Sequence, residues 1–310
     1  MIRDFQLLMI SAMYENGGNT THRLLDGHPQ LFTYPFESQI GTSLVRDALQ
    51  SMFPVKYRWP VFELAGSGSS DYEAIIDEEA KVRSKTPFVS KFREWPFELT
   101  DAGRKEHFLR HLSSGPRTRG RIVEAYFRST FEAWKDLKRS GRESWYVGYS
   151  PIIVVDANKI VTDLPGSHVL HVVRNPWSAY ADTKKRAVPL SLDHYLLGWV
   201  LCQHHARLYQ AQFPGRVHIL RFEDILEDPE KTLGGFLTSI GLESSPTLSR
   251  PSWNGKPMDT VHPWGTIRVA TPEANRATAQ ELSREEREEV RLRAGLFLKA
   301  FGYEDFFGKA

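Results

Sequence analysis

The chain has 310 residues, with 40 Lys and Arg against 38 Asp and Glu, a formal charge of +2. That balance excludes a polycation that coats nucleic acid or anionic membrane through bulk charge, so any bound anion must be met by local groups. With 41% hydrophobic and 25% charged residues, the composition is that of a globular chain with a real core, in one or two domains.

Residues 5–10 form a short apolar run, read as a buried strand. It breaks at Tyr14-Glu15-Asn16-Gly17-Gly18-Asn19, a turn-forming stretch, and a helix follows from about Thr20 to Leu25, ending at Gly27-His28-Pro29. Strand, glycine-bearing loop and helix in this order can cradle a phosphate or sulfate on backbone N–H groups and the helix dipole. Residues 45–140 are read as a largely helical insertion, and its Gly66-Ser67-Gly68-Ser69-Ser70 stretch as a mobile loop.

Regular alternation returns after residue 145. Residues 145–149 suit a strand, 152–164 a helix and 168–173 a strand that ends on Arg174, with Pro176 opening the next helix. Residues 192–213 read as a long helix holding the only cysteine, Cys202, among apolar neighbours. A single cysteine excludes an intramolecular disulfide and a cysteine metal cage, and fits a reducing cytoplasm. Residues 216–220 suit a strand, 229–240 a helix capped by Asp228, and Ser283-Arg284-Glu285-Glu286 a capping box that opens the last helix. No apolar run approaches the ~18–20 residues of a membrane span, and no targeting segment is read. Strands alternating with helices predict an α/β protein with a mainly parallel sheet, whose ligand lies at the carboxyl ends of the strands.

Three segments are placed to carry chemistry. The loop 14–21 lacks the Lys-Ser/Thr of an ATP or GTP P-loop. Val172-Val173-Arg174-Asn175-Pro176 ends a strand on a cation beside a helix start, where a guanidinium can fork onto a phosphate. Arg221-Phe222-Glu223-Asp224, followed by Asp228-Pro229, joins a strand to a helix.

Taken together, these segments resemble the sulfotransferase superfamily, which uses 3′-phosphoadenosine-5′-phosphosulfate (PAPS) as donor. The run from Asn19-Thr20-Thr21 through Leu24-Leu25-Asp26-Gly27-His28-Pro29 resembles its donor loop and first helix. His171-Val172-Val173-Arg174-Asn175-Pro176 resembles its 3′-phosphate strand. Arg221-Phe222-Glu223-Asp224 with Ile240-Gly241-Leu242, and the terminal Gly302-Tyr303 pair, resemble later motifs in the same order. The resemblance implies one P-loop-like, three-layer sandwich over 1–310, with helices flanking a central sheet and the 45–140 insertion shaping the acceptor pocket. It implies PAPS as donor without a metal, its 5′-phosphosulfate on Gly17, Gly18, Asn19 and Thr20. Arg174 would hold the 3′-phosphate, Phe222 would lie near the adenine, and Arg268 would belong to a late basic loop that closes the nucleotide site.

The chain departs from that pattern at cationic positions. The loop carries Glu15 and Asn16 where the family has Lys or Arg, Asp182 stands where the family has a phosphate-binding Ser, and Tyr149-Ser150-Pro151 lacks a lysine. Arg23, Lys184, Lys185, Arg186 and Arg268 are the candidate substitutes. Glu37, in Tyr34-Pro35-Phe36-Glu37-Ser38, is the first candidate for the base that deprotonates an acceptor hydroxyl, and His28 the second. The expectation is a cytoplasmic sulfotransferase for a small-molecule or carbohydrate hydroxyl, with no nucleic-acid partner and a homodimer left open. The alternatives are the same fold with a different phosphorylated donor, or a nucleotide-binding protein without catalysis.

Overall fold

The structure is a computed structural model and describes residues 5–113, 115–258, 267 and 269–307. Its centre is a parallel sheet of β1 (Leu7–Ser11), β2 (Leu31–Thr33), β3 (Trp145–Tyr149), β4 (Ser167–Val173) and β5 (Val217–Arg221), in the order β2-β3-β1-β4-β5. β1 is fully buried and reads Leu-Leu-Met-Ile-Ser, the near-continuous apolar run expected of a strand covered on both faces. It pairs on one side with β3, Met9 opposite Gly148, and on the other with β4, Met9 opposite Val169. Alternation of side chains then divides β1 between two cores. Leu7 and Met9 enter one cluster; Leu8 and Ile10 enter the other.

Two layers of helices cover these faces. α1 (Gly18–Leu25), α9 (Phe222–Glu227) and α10 (Pro229–Ser239) cover the Leu8 side. The Met9 side is covered by α5 (Arg119–Ala133), α6 (Ala157–Asp163), α7 (Pro176–Lys184), α8 (Leu192–Gln212) and α12 (Arg284–Ala300). α2 (Gly68–Ala74), α3 (Glu78–Lys85) and α4 (Asp101–Ser113) lie with α5 in the segment expected to be helical, and α11 (Pro272–Ala279) packs on α7. A two-stranded ribbon, β6 (Ser252–Trp253) with β7 (Lys256–Pro257), completes the described elements. The α/β expectation with its mainly parallel sheet is met.

The 66–70 stretch is not a loop: Ser67 accepts from the Ser70 amide and Ser70 returns the bond, a capping box that starts α2. Serine satisfies orphan amides at a helix start as readily as it populates loops, so composition alone misreads it. The 152–164 helix begins instead with a tighter turn at Ile153–Asp156. β2, three residues long, carries no periodicity to detect.

A buried ionic cluster ties the insertion to the sheet. Arg104 and Asp77 are both fully buried and bonded at 2.7 Å, and the Tyr34 hydroxyl donates to the same Asp77 oxygen at 2.9 Å. Tyr34 follows β2 directly, so this cluster fixes the segment that presents Glu37.

Candidate functional site

β1 ends at Ser11, and the chain turns through residues 12–17 before α1 begins. Gly17 adopts φ +85°, and a Cβ there would lie 2.2 Å from the Phe222 ring. At Gly18 a Cβ would lie 2.4 Å from the Tyr149 ring. Only glycine allows both rings this close to the loop. The first helical bond is from the Thr21 amide to the Gly17 carbonyl, 2.9 Å, leaving the amides of Gly18, Asn19 and Thr20 at the open helix end. Thr20 is 3% exposed and its hydroxyl has no hydrogen-bond partner among the described residues. A buried, unpartnered hydroxyl beside three free amides is a signature of a place meant for an acceptor of hydrogen bonds.

These groups line a narrow cavity of about 80 Å³ with Tyr14, Glu15, Glu37, Tyr57, Tyr149, Pro151, Arg186 and Ile267. Glu37 is half-buried and accepts a 2.8 Å bond from the Tyr57 hydroxyl. Burial raises the pKa of Tyr14, Tyr57 and Tyr149, and nearby Glu37 adds to the shift in each, so all three remain neutral donors. The Arg186 guanidinium sits 4.7 Å from the centre of the Tyr14 ring, and its Nε is 3.8 Å from a Glu15 carboxylate oxygen. Glu15 itself is held at φ 59°, uncommon for a residue with a side chain.

A second, wider cavity of about 290 Å³ adjoins the first and shares Ile267 with it. Its lining includes Arg174, Asp182, Lys185, Phe222, Thr271 and Asn275. Arg174 is 2% exposed and largely committed: Nη1 donates to Asp182 at 2.7 Å and to the Glu15 carbonyl at 2.8 Å, and Nε donates to Asn275 at 2.7 Å. The other Asp182 oxygen accepts from Lys185 at 3.0 Å. Phe222 is fully buried beneath the Arg174 guanidinium at 5.6 Å. Asn16 binds the two regions together. Its side-chain oxygen accepts from the Arg174 amide and the Trp199 indole, and its nitrogen donates to the Tyr195 hydroxyl and the Tyr14 carbonyl.

A family model described as the sulfotransferase family matches residues 16–246. The chain belongs to the sulfotransferase family. The sulfotransferase domain of the Synechococcus PCC 7002 olefin synthase is similar in structure at a TM-score of 0.53, with 14% identity over 91% of this chain and 89% of that one. The sulfotransferase domain of the curacin biosynthetic pathway aligns at TM-score 0.48 and 13% identity, over 93% and 97% of the two chains. A sulfotransferase from Alicyclobacillus acidocaldarius aligns at 0.44 and 15%, over 94% and 91%. No curated protein sequence matches the chain.

Within this sulfotransferase fold, Gly17, Gly18, Asn19, Thr20 and Glu37 come together at one cavity, and Arg174 and Phe222 at the next. His28 joins neither. Its Nε2 lies 3.0 Å from the Glu243 carbonyl and its Nδ1 accepts from the Gln30 amide at 3.2 Å, so the ring pins a turn and burial lowers its pKa. Arg268 falls outside the described residues. Among the other candidate cations, Arg23 is buried against the Tyr34 carbonyl and the Trp253 ring, and Lys184 pairs with Glu286. Tyr14, Tyr57 and Asn275 carry no sequence signal, because an isolated aromatic or amide has no spacing that marks it. Among the described residues no cluster of His, Cys, Asp or Glu could hold a metal ion, and no helix is long and apolar enough to cross a membrane.

The site can hold a small anionic group at the α1 terminus and a bulkier group beside Phe222. The Glu37 carboxylate lines the same cavity as those amides.

Proposed function

We propose that the chain transfers a sulfuryl group from PAPS to a hydroxyl of a small molecule or carbohydrate. The observation that carries this reading is the buried, unpartnered Thr20 hydroxyl at the α1 terminus sharing one cavity with Glu37. The amides of Gly18, Asn19 and Thr20 suit the 5′-phosphosulfate, and the wider cavity suits the nucleoside, with the 45–140 segment contributing Tyr57 to the acceptor side. Transfer then forms a bond from the acceptor oxygen to sulfur while the sulfur–oxygen bond to the phosphate breaks, its electron pair leaving on the phosphate oxygen. Glu37 takes the acceptor proton, and Tyr57 orients the carboxylate that receives it.

One observation favours a second reading, with the same fold and a different phosphorylated donor. Arg174, the residue suited to a 3′-phosphate, already carries the Asp182 carboxylate. A second anion there would face that carboxylate, whereas a free ribose hydroxyl could donate to it. Calorimetric titration with adenosine 3′,5′-bisphosphate and with adenosine 5′-monophosphate separates the two. Preference for the bisphosphate is the expected result and supports PAPS; preference for the monophosphate supports the second reading. Absence of binding by either at millimolar concentration defeats both. Transfer of labelled sulfate to a mixture of hydroxyl acceptors then distinguishes an enzyme from a nucleotide-binding protein.

A further inference from the structure

We infer that Arg186 is the cation that meets the phosphosulfate end of the donor, replacing from a neighbouring helix end the charge that the donor loop lacks. The inference rests on the donor reading above. The loop itself offers no cation: Glu15 faces the cavity, and Asn16 is fully buried with its amide committed to Arg174, Trp199, Tyr195 and Tyr14. The helix dipole supplies only about half a unit charge. Glu15 and Glu37 together would repel an anion from a cavity whose amides are otherwise built to receive one.

The run Lys184, Lys185, Arg186 at the end of α7 resolves this, because its three cations diverge. Lys184 reaches Glu286 at 2.7 Å, and Lys185 bridges Asp182 and Glu281 at 3.0 and 2.9 Å. Arg186 alone of the three lines the cavity that contains Thr20 and Glu37. Its partners explain why it is poised there. The Tyr14 ring supports the flat guanidinium at 4.7 Å, and the nearest carboxylate, Glu15, is 3.8 Å from Nε, too long for a hydrogen bond. The guanidinium donors are therefore spare, whereas Arg174 commits its Nε and Nη1, and a planar fork suits two oxygens of a phosphate or sulfate. As the sulfur–oxygen bond breaks, the phosphate gains negative charge while the acceptor oxygen bonds sulfur and its proton passes to Glu37. Arg186 stabilises that growing charge, and Glu15 holds the guanidinium in place beforehand while competing with the donor for it.

The test is calorimetry with adenosine 3′,5′-bisphosphate and adenosine 5′-monophosphate on the whole chain and its variants. Arg186→Gln should weaken whichever nucleotide binds by about 10–100-fold, and Arg186→Lys by less. Glu15→Gln should tighten binding by about two- to fivefold, since it removes the competing carboxylate. The double variant Glu15→Lys with Arg186→Gln, which returns a cation to the loop, should recover most of the loss. A purely structural role for Arg186 would lower the melting temperature of Arg186→Gln and leave the double variant unrescued, which overturns the inference. Binding by Arg186→Gln within twofold of the parent chain overturns it too, while leaving the donor reading intact. A parent chain that binds neither nucleotide defeats the donor reading and this inference together.

Discussion

The two adjoining cavities treat charge in opposite ways. At the α1 terminus the protein leaves polar groups open: three amides, the Thr20 hydroxyl and a loosely held Arg186. At the end of β4 it pairs its cation inside the fold, with Arg174 Nε and Nη1 bonded to Asp182, Asn275 and the Glu15 carbonyl. Two carboxylates show the same contrast. Glu37 receives one neutral hydroxyl among the described residues, whereas Asp182 is bracketed by two cations. A residue's chemical type thus says little about whether it awaits a ligand. What matters is whether its partners are already inside the fold, since an unpaired buried group costs free energy that a ligand can recover.

Three variants sharpen or break this contrast. The largest effect is expected from Asp182→Ser, which strands a buried guanidinium and should lower stability by about 3–5 kcal/mol in denaturant unfolding. Adding adenosine 3′,5′-bisphosphate should restore part of that loss, because its phosphate can replace the missing carboxylate. An unchanged unfolding midpoint would mean that the pair is not what closes this cavity. Glu37→Gln should reduce sulfate transfer by about 10²–10³-fold, with bisphosphate affinity within twofold of the parent, because it removes only a proton acceptor. Equal losses in binding and rate would instead make Glu37 part of the donor seat. Thr20→Val should act in the reverse sense to Asp182→Ser. It replaces an unpartnered hydroxyl by a methyl of similar size, so stability should hold or rise by up to about 1 kcal/mol. Nucleotide binding should nevertheless weaken about fivefold, and a variant that loses stability without losing affinity would show that the hydroxyl serves the fold.

Much of the architecture was legible from periodicity and punctuation. The apolar runs at 5–10 and 168–173 and the Asp228 and Ser283 caps each became the element they suggested, because the signal is local. Where a residue's role depends on direction, the sequence was silent. Lys184, Lys185 and Arg186 are indistinguishable as a string, yet consecutive positions near a helix end point about 100° apart, and each met a different partner. Tyr57 reaches Glu37 from a short turn at Val55–Tyr57 that no spacing links to residue 37. His28 is the second candidate for the base by sequence, but its two ring nitrogens face the Gln30 amide and the distant Glu243 carbonyl. Asp182 stands out in the sequence as a departure from a motif, and only the 2.7 Å contact shows that it is paired with Arg174.

Glu223 joins distant parts of the chain. One of its carboxylate oxygens accepts from Asn175, the residue that caps α7, and from Asn275, while the other accepts from the Tyr303 hydroxyl at 2.6 Å. Tyr303 is synthesised eighty residues after Glu223. A nascent chain on the ribosome can therefore stack its sheet early, yet it lacks the final strut behind the Arg174 cavity until that tyrosine emerges. The back of that cavity is in this sense finished later in synthesis than the sheet that surrounds it.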